Sequence, residues 1–391
     1  MGYRYAVLGA GRQGCAAACD FARHGEAEDI LILDSDESAA AGAAFRVNAL
    51  AGRAVARSAR LDVADVAALS SALEGRQATL SAVPYRFNLA ATRAAIAAGS
   101  SFNDLGGNTD IVRQQLLLDE AARLQGVSVV PDCGLAPGLA NVLAAAGIRR
   151  MDAPKSVRMW CGGLPRNRDL PFGYKLLFSP GGLTNEYSGD AVLLRDGRIA
   201  LAPALTEPEA IEFPQPVGPC EAFLTSGGTS TCPWSFEGTL ETFEYKTVRY
   251  PGHLVSVRAL ADLGFLEEEP VLAGGVMVAP REFLHAQLVR KLSFPDEPDL
   301  VVLRVRVAGR KGDRTLAIVF DLLDHSDPAT GYSAMERCTG YPAAAVSWMQ
   351  ARGEVPSGAQ PQELSVPAER LIEEVRRRGL AVRETIESGG S

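Results

Sequence analysis

Short apolar runs alternate with stretches of helical periodicity over the first 130 residues of the chain. The runs have the length of buried strands, and the Ala-rich stretches between them repeat apolar residues with a period near 3.6. Gly25, Gly99 and Gly126 follow three predicted helices, where a left-handed cap is favoured. This alternation predicts a parallel, doubly wound sheet. The predicted strands are Arg4–Leu8, Ile30–Leu33, Val55–Ala59, Ala78–Val83, Ser101–Asn103 and Val127–Val130, and predicted helices include Asn88–Ala98 and Thr109–Gln125.

The pattern changes after Gly138, and strands there are expected to form a second, α+β domain. Five prolines between Pro203 and Pro219 predict an irregular surface excursion. A last helix is expected to be capped by Ser365, with Pro367 in its first turn and Gly379 after its end. The other predicted elements are helices at Asn141–Arg149, His253–Leu263 and Glu282–Leu292, and strands at Ser156–Cys161, Leu240–Arg249, Leu300–Ala308 and Thr315–Leu323.

Composition and charge narrow the class of protein. The 391 residues predict two or three domains, and the 47% hydrophobic and 22% charged residues exclude a disordered chain. A net charge of −8 argues against nucleic acid or an anionic membrane as partner. Seven cysteines without tandem spacing predict no disulfide framework, and neither a membrane span nor a secretory signal is expected. We therefore expect a cytoplasmic protein that acts on a small molecule.

A glycine-rich loop follows the first predicted strand and opens a helix. Gly9 allows the tight turn, Gly11 lets the backbone approach a pyrophosphate, and Gly14 lets helix and strand pack closely. Asp34 ends the next strand, twenty residues past Gly14, which is the spacing of a dinucleotide site. The alternative is a glycine turn without a ligand. The loop residues assigned to the cofactor are Gly9, Gly11, Arg12, Gln13 and Gly14.

Asp34 also bears on the choice of cofactor. A carboxylate at this position can accept hydrogen bonds from both ribose hydroxyls of NAD, whereas it repels the 2′-phosphate of NADP. The next residues, Ser35, Asp36 and Glu37, add no basic group to receive that phosphate. We therefore predict NAD; the alternative for Asp34 is a solvated turn carboxylate.

Further cofactor contacts are expected where parallel strands end, since ligands bind outside that edge of such sheets. Each of these segments also fits ordinary turn chemistry. The predicted contacts are Asp62 and Val63 beside the adenine, Ala82, Val83 and Pro84 beside the ribose and diphosphate, and the segments 103–108 (with Leu105 and Gly106) and 131–138 around the nicotinamide.

Seven motifs in order resemble the saccharopine dehydrogenase superfamily: GAGRQG, SAVPYRFN, NDLGGN, PDCGLAPG, CGGLP, TSGGTST and YKTVRYPGH. Within it, the pattern looks most like that of bacterial lysine 6-dehydrogenases. The resemblance implies a Rossmann domain over residues 1–138 completed by 341–391, with an inserted α+β domain over 139–340 for substrate binding and oligomerisation. It also implies NAD-dependent oxidation of L-lysine to allysine, ammonia and NADH, with allysine cyclising to 1-piperideine-6-carboxylate.

Candidate substrate residues come from the hydroxyl-rich loop 225–231 and the strand that follows it. The loop suits a carboxylate, although a polar turn is the alternative. Resemblance places Lys246 and Thr247 at the substrate, although strand alternation puts these neighbours on opposite faces. Arg249 is either a carboxylate fork or a solvated strand charge. The predicted substrate-binding residues are Tyr85 and Tyr174, from the resemblance, with Ser226, Thr229, Ser230, Lys246, Thr247 and Arg249.

Two residues are candidates for acid–base chemistry. Asp104 ends the fifth strand and is expected either to accept the proton of the substrate ammonium or to cap the glycine turn after it. His253 begins a helix and is expected either to titrate near neutrality or to bond backbone there. No cluster has metal-ligand spacing, so no metal is predicted.

Two other functions stay open. A saccharopine or carboxynorspermidine dehydrogenase-like enzyme would need a second carboxylate grip. A non-catalytic NAD(H) sensor would not need the hydroxyl-rich loop. A homo-oligomer, dimer or larger, is expected.

Overall fold

The computed structural model describes residues 2–388, and its N-terminal part alternates strands with helices as predicted. The strands are β1 (Tyr3–Leu8), β2 (Ala27–Asp34), β3 (Ala56–Arg60), β4 (Ala78–Ser81), β5 (Ser101–Asp104) and β6 (Ser128–Val130). The helices are α1 (Arg12–His24), α2 (Glu37–Ala51), α3 (Val66–Leu73), α4 (Asn88–Ala97), α5 (Thr109–Leu116) and α6 (Asp119–Leu124).

The remainder begins with α7 and returns to the first sheet near its end. Its helices are α7 (Leu139–Arg149), α8 (Pro180–Glu186), α9 (Cys232–Ser235), α10 (His253–Asp262), α11 (Pro280–Leu292), α12 (Ala334–Ala351), α13 (Gln362–Ser365) and α14 (Ala368–Arg377). Its strands are β7 (Ala153–Pro165), β8 (Asp190–Arg195), β9 (Arg198–Pro203), β10 (Glu209–Phe213), β11 (Gly218–Leu224), β12 (Thr242–Arg249), β13 (Val271–Ala273), β14 (Val276–Val278), β15 (Asp299–Lys311), β16 (Arg314–His325), β17 (Gly358–Ala359) and β18 (Arg383–Ser388).

The first sheet is parallel, and within residues 2–388 its order is β17-β6-β5-β4-β1-β2-β3. The order reverses between β1 and β4, which creates a crevice at the carboxyl ends of these strands. The six predicted strands are confirmed, and β17 from the C-terminal segment completes the sheet beside β6. The predicted helix over Thr109–Gln125 is divided into α5 and α6.

The second sheet is mixed, with the order β10-β11-β12-β7-β15-β16-β18 and with β8 and β9 beside β12. The predicted hairpin of β15 and β16 is confirmed. The expected irregular excursion is wrong, because β10 and β11 form an antiparallel hairpin inside it. Pro214 and Pro216 make the turn of that hairpin, and Pro208 precedes it, so these prolines interrupt no hydrogen-bonded position.

The C-terminal segment crosses between the two sheets. α12 begins at Ala334 and runs through the predicted domain boundary at residue 341. β18 pairs with β16 in the second sheet. Ser365 does not cap α14: it is the last residue of α13, and its hydroxyl donates to the carbonyl of Pro361, which precedes α13. Pro367 precedes α14. Met1 and residues 389–391, which the predicted boundaries include, lie outside the described residues.

α12 packs closely on α1 and so holds the two sheets together. Gly340 permits the approach, since a Cβ there would lie 3.0 Å from the Ala17 backbone nitrogen. One hydrophobic core includes residues of α1, α7, α12 and the second sheet. Within the part of the chain described, no helix has the length and hydropathy to cross a bilayer.

Candidate active site

A cavity of about 980 Å³ lies between the carboxyl edge of the first sheet and one face of the second. The glycine loop and the loops after β4, β5 and β6 form one wall. Residues of α8, β12 and α11, with the loop 226–228, form the other. Both halves of the chain therefore contribute to a single site.

The glycine loop has the geometry of a phosphate cradle. Gly9 has φ +95°, and a Cβ there would lie 2.8 Å from the Ala82 carbonyl oxygen. A Cβ on Gly14 would overlap the Gly9 carbonyl oxygen, so α1 packs directly on β1. A Cβ on Gly11 would meet nothing within 4 Å, so open space lies beside the backbone at the start of α1. These residues fit a dinucleotide pyrophosphate.

Asp34 lies at the end of β2 and shapes the same loop. Its carboxylate accepts the Ala10 amide at 2.7 Å and the Asp36 amide at 2.9 Å. At the end of β3, Asp62 is exposed and accepts the Ala64 amide. The predicted contact of Val63 with adenine is not supported by its position, because its side chain is buried in the core.

The loops after β4 and β5 carry further residues predicted to contact the cofactor, the first beside the ribose and diphosphate and the second beside the nicotinamide. Ala82, Val83, Pro84, Leu105 and Gly106 all line the cavity. Tyr85, the predicted substrate residue beside them, also lines the cavity. Its ring lies 3.1 Å from the position of a Cβ on Gly107, which has φ +123°.

Asp104 does not reach the cavity, which corrects its candidacy as a proton acceptor. Its Oδ1 accepts the amides of Gly106 and Asp132 at 2.8 and 3.1 Å, and its Oδ2 accepts Gln115 Nε2 at 2.8 Å. Burial raises the pKa of Asp104, and these hydrogen bonds partly offset the rise. The alternative role, fixing the glycine turn, is the one its contacts support.

Asp132 takes the place expected for Asp104 at the cavity wall. Its Oδ2 accepts the Ser230 hydroxyl at 2.5 Å, whereas its buried Oδ1 has no hydrogen-bond partner among the described residues. That free oxygen lies where a Cβ on Gly106 would clash. Burial, with the nearby Asp104 carboxylate, raises the pKa of Asp132 well above its usual value. It is therefore suited to hold or accept a proton.

β12 presents alternate residues to the two sides of its sheet, as predicted. Tyr245, Thr247 and Arg249 line the cavity. Lys246 lies on the opposite face, with Nζ 3.3 Å from Glu209 Oε1, so its predicted substrate contact is wrong. The orientation of the Lys246 side chain follows from the alternation of side chains along a strand.

Arg249 is held in place by a chain of hydrogen bonds that ends on His253. Arg249 Nε donates to the Tyr187 hydroxyl at 3.0 Å, and this hydroxyl donates to His253 Nε2 at 2.9 Å. The other ring nitrogen donates to the Phe172 carbonyl at 2.9 Å. Burial, reinforced by the charge of Arg249, lowers the pKa of His253 to about 3. His253 is thus a neutral positioning residue rather than an acid–base group.

A carboxylate and an aromatic ring complete the surroundings of Arg249. Glu186 Oε2 lies 3.9 Å from Nη2 on the cavity wall. Burial raises the pKa of Glu186 to about 7, and Arg249 opposes that rise. The guanidinium lies 5.0 Å from the Tyr174 ring centroid. Tyr174 is buried behind Arg249 and does not line the cavity, which corrects its predicted substrate contact.

The hydroxyl-rich loop contributes less than predicted. Ser226 lines the cavity, and its hydroxyl donates to the Asn185 carbonyl at 2.8 Å. Thr229 and Ser230 do not line the cavity, because their hydroxyls donate to Val192 O and Asp132 Oδ2. Their predicted grip on a carboxylate is therefore corrected to an internal role. Thr247 does face the cavity, with its hydroxyl 2.8 Å from that of Thr225.

Comparison with known proteins places this geometry in a family. The model of the saccharopine dehydrogenase NADP binding domain matches residues 5–130, and that of the saccharopine dehydrogenase C-terminal domain matches residues 134–380. This chain belongs to the saccharopine dehydrogenase family. The resemblance to the superfamily, and its nicotinamide dinucleotide-binding domain, are thereby confirmed.

Curated relatives in the saccharopine dehydrogenase family include two fungal enzymes named saccharopine dehydrogenase [NADP(+), L-glutamate-forming]. The one from Pyricularia oryzae is 28% identical over 254 residues, which cover 62% of this chain and 54% of the relative. The one from Schizosaccharomyces pombe is 26% identical over 260 residues, 62% of this chain and 55% of the relative. The chain thus spans about half the length of the curated relatives it matches.

A solved member of the saccharopine dehydrogenase family has the same fold. It is the apo saccharopine dehydrogenase (L-Glu forming) from Saccharomyces cerevisiae, with a TM-score of 0.77 and 20% sequence identity. The match covers 98% of this chain and 100% of that one. The α/β architecture predicted from the sequence is therefore confirmed.

Several residues that line the cavity were not predicted from the sequence. Asp132, Glu186, Arg281 and His285 all line the cavity. The segment around Asp132 was expected at the nicotinamide, so an acid within it was a usable signal. His285, 2.8 Å from the Thr184 hydroxyl, gave none, because the cavity-facing side of α11 depends on tertiary packing. No group of three His, Cys, Asp or Glu side chains within residues 2–388 is arranged to hold a metal.

Proposed function

We propose that the chain catalyses NAD-dependent oxidative deamination of L-lysine at the ε-carbon, giving allysine, ammonia and NADH. Allysine then cyclises to 1-piperideine-6-carboxylate. The observation that carries this proposal is the presence of two groups in one cavity. One wall carries buried Arg249 beside the partly exposed Glu186, and the other carries Asp132, with one unpaired oxygen, beside the expected nicotinamide loops.

The Arg249–Glu186 pair suits the head group of an amino acid. The guanidinium binds the α-carboxylate, and the Glu186 carboxylate binds the α-ammonium beside it. Because Tyr187 and His253 fix the guanidinium from behind, little side-chain freedom is lost on binding. This grip lies in the second sheet, so the lysine chain extends from there toward the first.

The charges of the cavity favour lysine over saccharopine as the substrate. The charged residues of its lining are four arginines, Arg12, Arg86, Arg249 and Arg281, and four acids, Asp132, Glu186, Glu268 and Glu282. Arg12 is already paired with Glu336, and Arg281 with Glu268. Arg86 and Arg249 are the two lining arginines outside these ion pairs, fewer than the three carboxylates that saccharopine carries. Lysine, with one carboxylate and two ammonium groups, fits the acids that remain.

At the other end of the cavity, Asp132 accepts a proton from the ε-ammonium, so that the amine lone pair assists oxidation of the adjacent carbon. Ser230 holds Oδ2, so the proton is accepted by Oδ1, which is buried beside Gly106 and has no hydrogen-bond partner among the described residues. A bound nicotinamide supplies the two-electron acceptor. Tyr85 and Leu105 line this end and limit the access of water until the carbon is oxidised. Water then adds to the iminium carbon and releases ammonia.

Asp34 is the feature that favours NAD. Its carboxylate lies beside the loop where an adenosine ribose would lie, and a 2′-phosphate there would be repelled. The curated relatives carry NADP(+) in their names, so the preference of this chain for NAD over NADP is a distinguishing part of the proposal.

All seven cysteines, which lie in the described part, are free and buried, which supports the cytoplasmic location expected from composition.

The second candidate is a saccharopine dehydrogenase-like reaction, which the names of the relatives favour. The two are separated by recording NADH or NADPH formation with L-lysine or saccharopine, each with NAD or NADP. We expect the highest kcat/KM with L-lysine and NAD. Faster oxidation of saccharopine, with release of glutamate, would replace the proposal by the second candidate.

A further inference from the structure

Asn185 lies one residue before the end of α8 and bridges the two walls of the cavity. Its Nδ2 donates to the Gly107 carbonyl at 2.7 Å. Gly107 belongs to the segment after β5, residues 105–108, which we call the β5 loop. Among residues 2–388, this is the only hydrogen bond that joins the β5 loop to the wall formed by the second sheet and its helices.

The β5 loop has little support of its own. Gly106 and Gly107 have φ +81° and +123°, and neither has a side chain that could pack on a neighbour and restrict the backbone. The Gly106 amide donates to Asp104, and the Tyr85 ring lies beside Gly107. The Gly107 carbonyl has only the Asn185 side chain as its partner in the described part of the chain. The position of this carbonyl therefore depends on α8.

On its other side, Asn185 adjoins the proposed amino-acid grip, Arg249 with Glu186. Glu186 is the next residue, and Arg249 donates to the hydroxyl of Tyr187, the residue after it. The end of α8 is also attached to the second wall, because the Ser226 hydroxyl donates to the Asn185 carbonyl at 2.8 Å and the Ser226 amide donates to the Glu186 carbonyl at 2.9 Å. Three consecutive side chains thus connect the β5 loop with the grip.

We propose that Asn185 is a positioning residue that couples binding of the amino-acid head group to binding of the nicotinamide. This inference rests on the proposed function, in which the grip binds the head group and the β5 loop borders the nicotinamide. A bound head group fixes Glu186, and the hydrogen bond from the neighbouring Asn185 then fixes the Gly107 carbonyl. Because less of the loop remains to be ordered, the affinity for the nicotinamide rises. By linkage, the nicotinamide raises the affinity for the amino acid by the same factor.

The test is a double titration of the full chain with NADH and L-norleucine, a lysine analogue that lacks the ε-amine and so cannot be deaminated there. NADH fluorescence gives the Kd for NADH without norleucine and at saturating norleucine. In wild type, norleucine should lower this Kd about five-fold or more, as is usual for coupled sites. Asn185→Ala and Asn185→Asp, which both lack the donor, should reduce the factor to about two-fold or less. ADP-ribose, which lacks the nicotinamide, should bind all three proteins equally well, with or without norleucine.

Ser188→Ala is the matched control, because this hydroxyl belongs to the same segment and donates to the Thr184 carbonyl at 2.8 Å rather than to the β5 loop. Its coupling factor should equal that of wild type. An unchanged factor in both Asn185 variants would overturn the inference and leave the proposed function standing. Weaker binding of both ligands with the same factor would make Asn185 merely structural and would also overturn the inference.

A measurement on wild type alone covers the case in which the Asn185 variants do not fold. Norleucine without NADH should slow the amide hydrogen exchange of residues 106–108, because it orders the β5 loop through α8. Exchange that norleucine leaves unchanged, although norleucine binds, would overturn the inference. Failure of wild type to bind norleucine would instead contradict the proposed grip, and the coupling with it.

Discussion

Arg249 Nη2 lies 3.9 Å from Glu186 Oε2 on the wall of the cavity, and both side chains belong to the second sheet and its adjoining helix. Only 3% of the Arg249 side chain is exposed. Arg249 Nε and Nη1 donate to the Tyr187 hydroxyl and the Val248 carbonyl, whereas the nearest carboxylate is 3.9 Å from Nη2. A bound carboxylate would therefore offset part of the desolvation cost of this buried charge. The proposed ligand is the head group of an amino acid.

Replacement of Arg249 by Lys should raise the KM for L-lysine by roughly ten- to a hundred-fold, because a two-point hydrogen bond to a carboxylate worth about 1.5–3 kcal/mol is lost. Steady-state kinetics measure this. Lys246→Gln is the control, since its side chain lies on the opposite face of the same strand. Wild type and Arg249→Lys should oxidise cadaverine, which lacks the carboxylate, with similar kcat/KM. An equal loss of cadaverine turnover would show that Arg249 does not bind the carboxylate.

Replacement of Asp132 by Asn should lower kcat about 10²- to 10⁴-fold, the usual contribution of a positioned base. It should also remove the acidic limb of the pH profile of kcat/KM, because the pKa of Asp132 is raised and the group must lose its proton to act. Ser230→Ala frees the other carboxylate oxygen and should shift that limb rather than abolish it. An unchanged acidic limb in Asp132→Asn would assign the ionisation to another group.

Two glycine substitutions should distinguish an effect on NADH affinity from an effect on the stability of the fold. Gly11→Ala adds a methyl group into open space, so stability should be near wild type while NADH affinity falls at least ten-fold as the cradle is filled. Gly14→Ala places a methyl group on the Gly9 carbonyl, so the midpoint of thermal unfolding should fall by several degrees. Fluorescence titration and calorimetry measure these effects. NADH binding unchanged in Gly11→Ala would place the dinucleotide elsewhere.

Local patterns accounted for most of the fold, because the strands β1 to β6 of the first sheet are short and each is followed by a segment with helical periodicity. The hairpin β10–β11 was missed since prolines were counted rather than placed; their positions at a turn and an edge leave the ladder intact. The position of β18 was likewise missed, because its six residues are all exposed and show no apolar face.

The site was less predictable than the fold, because hydrogen-bond partners within the protein decide which side chains remain free to bind a substrate. Strand parity correctly separated Arg249 from Lys246, since alternation is local. No local pattern distinguishes Asp104, saturated by two amides and Gln115, from Asp132, which keeps a free oxygen. His253 looked titratable in sequence, but a backbone carbonyl and Tyr187 occupy both of its nitrogens.

His253 should make the fold sensitive to acid. Burial holds its pKa at about 3, whereas in the unfolded chain the pKa is 6.5, so unfolding takes up a proton between these values. The free energy of unfolding should therefore fall as pH decreases from 6.5 toward 3, by up to about 1.4 kcal/mol per pH unit from this group. His253→Gln should show a shallower decline in denaturant titrations. Parallel declines would mean that His253 is protonated in the fold.

The most direct test of the central claim follows the ε-nitrogen of the substrate. L-Lysine labelled with ¹⁵N at the ε-position is incubated with the full chain and NAD, and labelled ammonia, NADH and the organic product are measured together. The account predicts one labelled ammonia per NADH and an unlabelled piperideine carboxylate. Retention of the label in the organic product, or NADH formation only from saccharopine, would contradict oxidation of lysine at its ε-carbon.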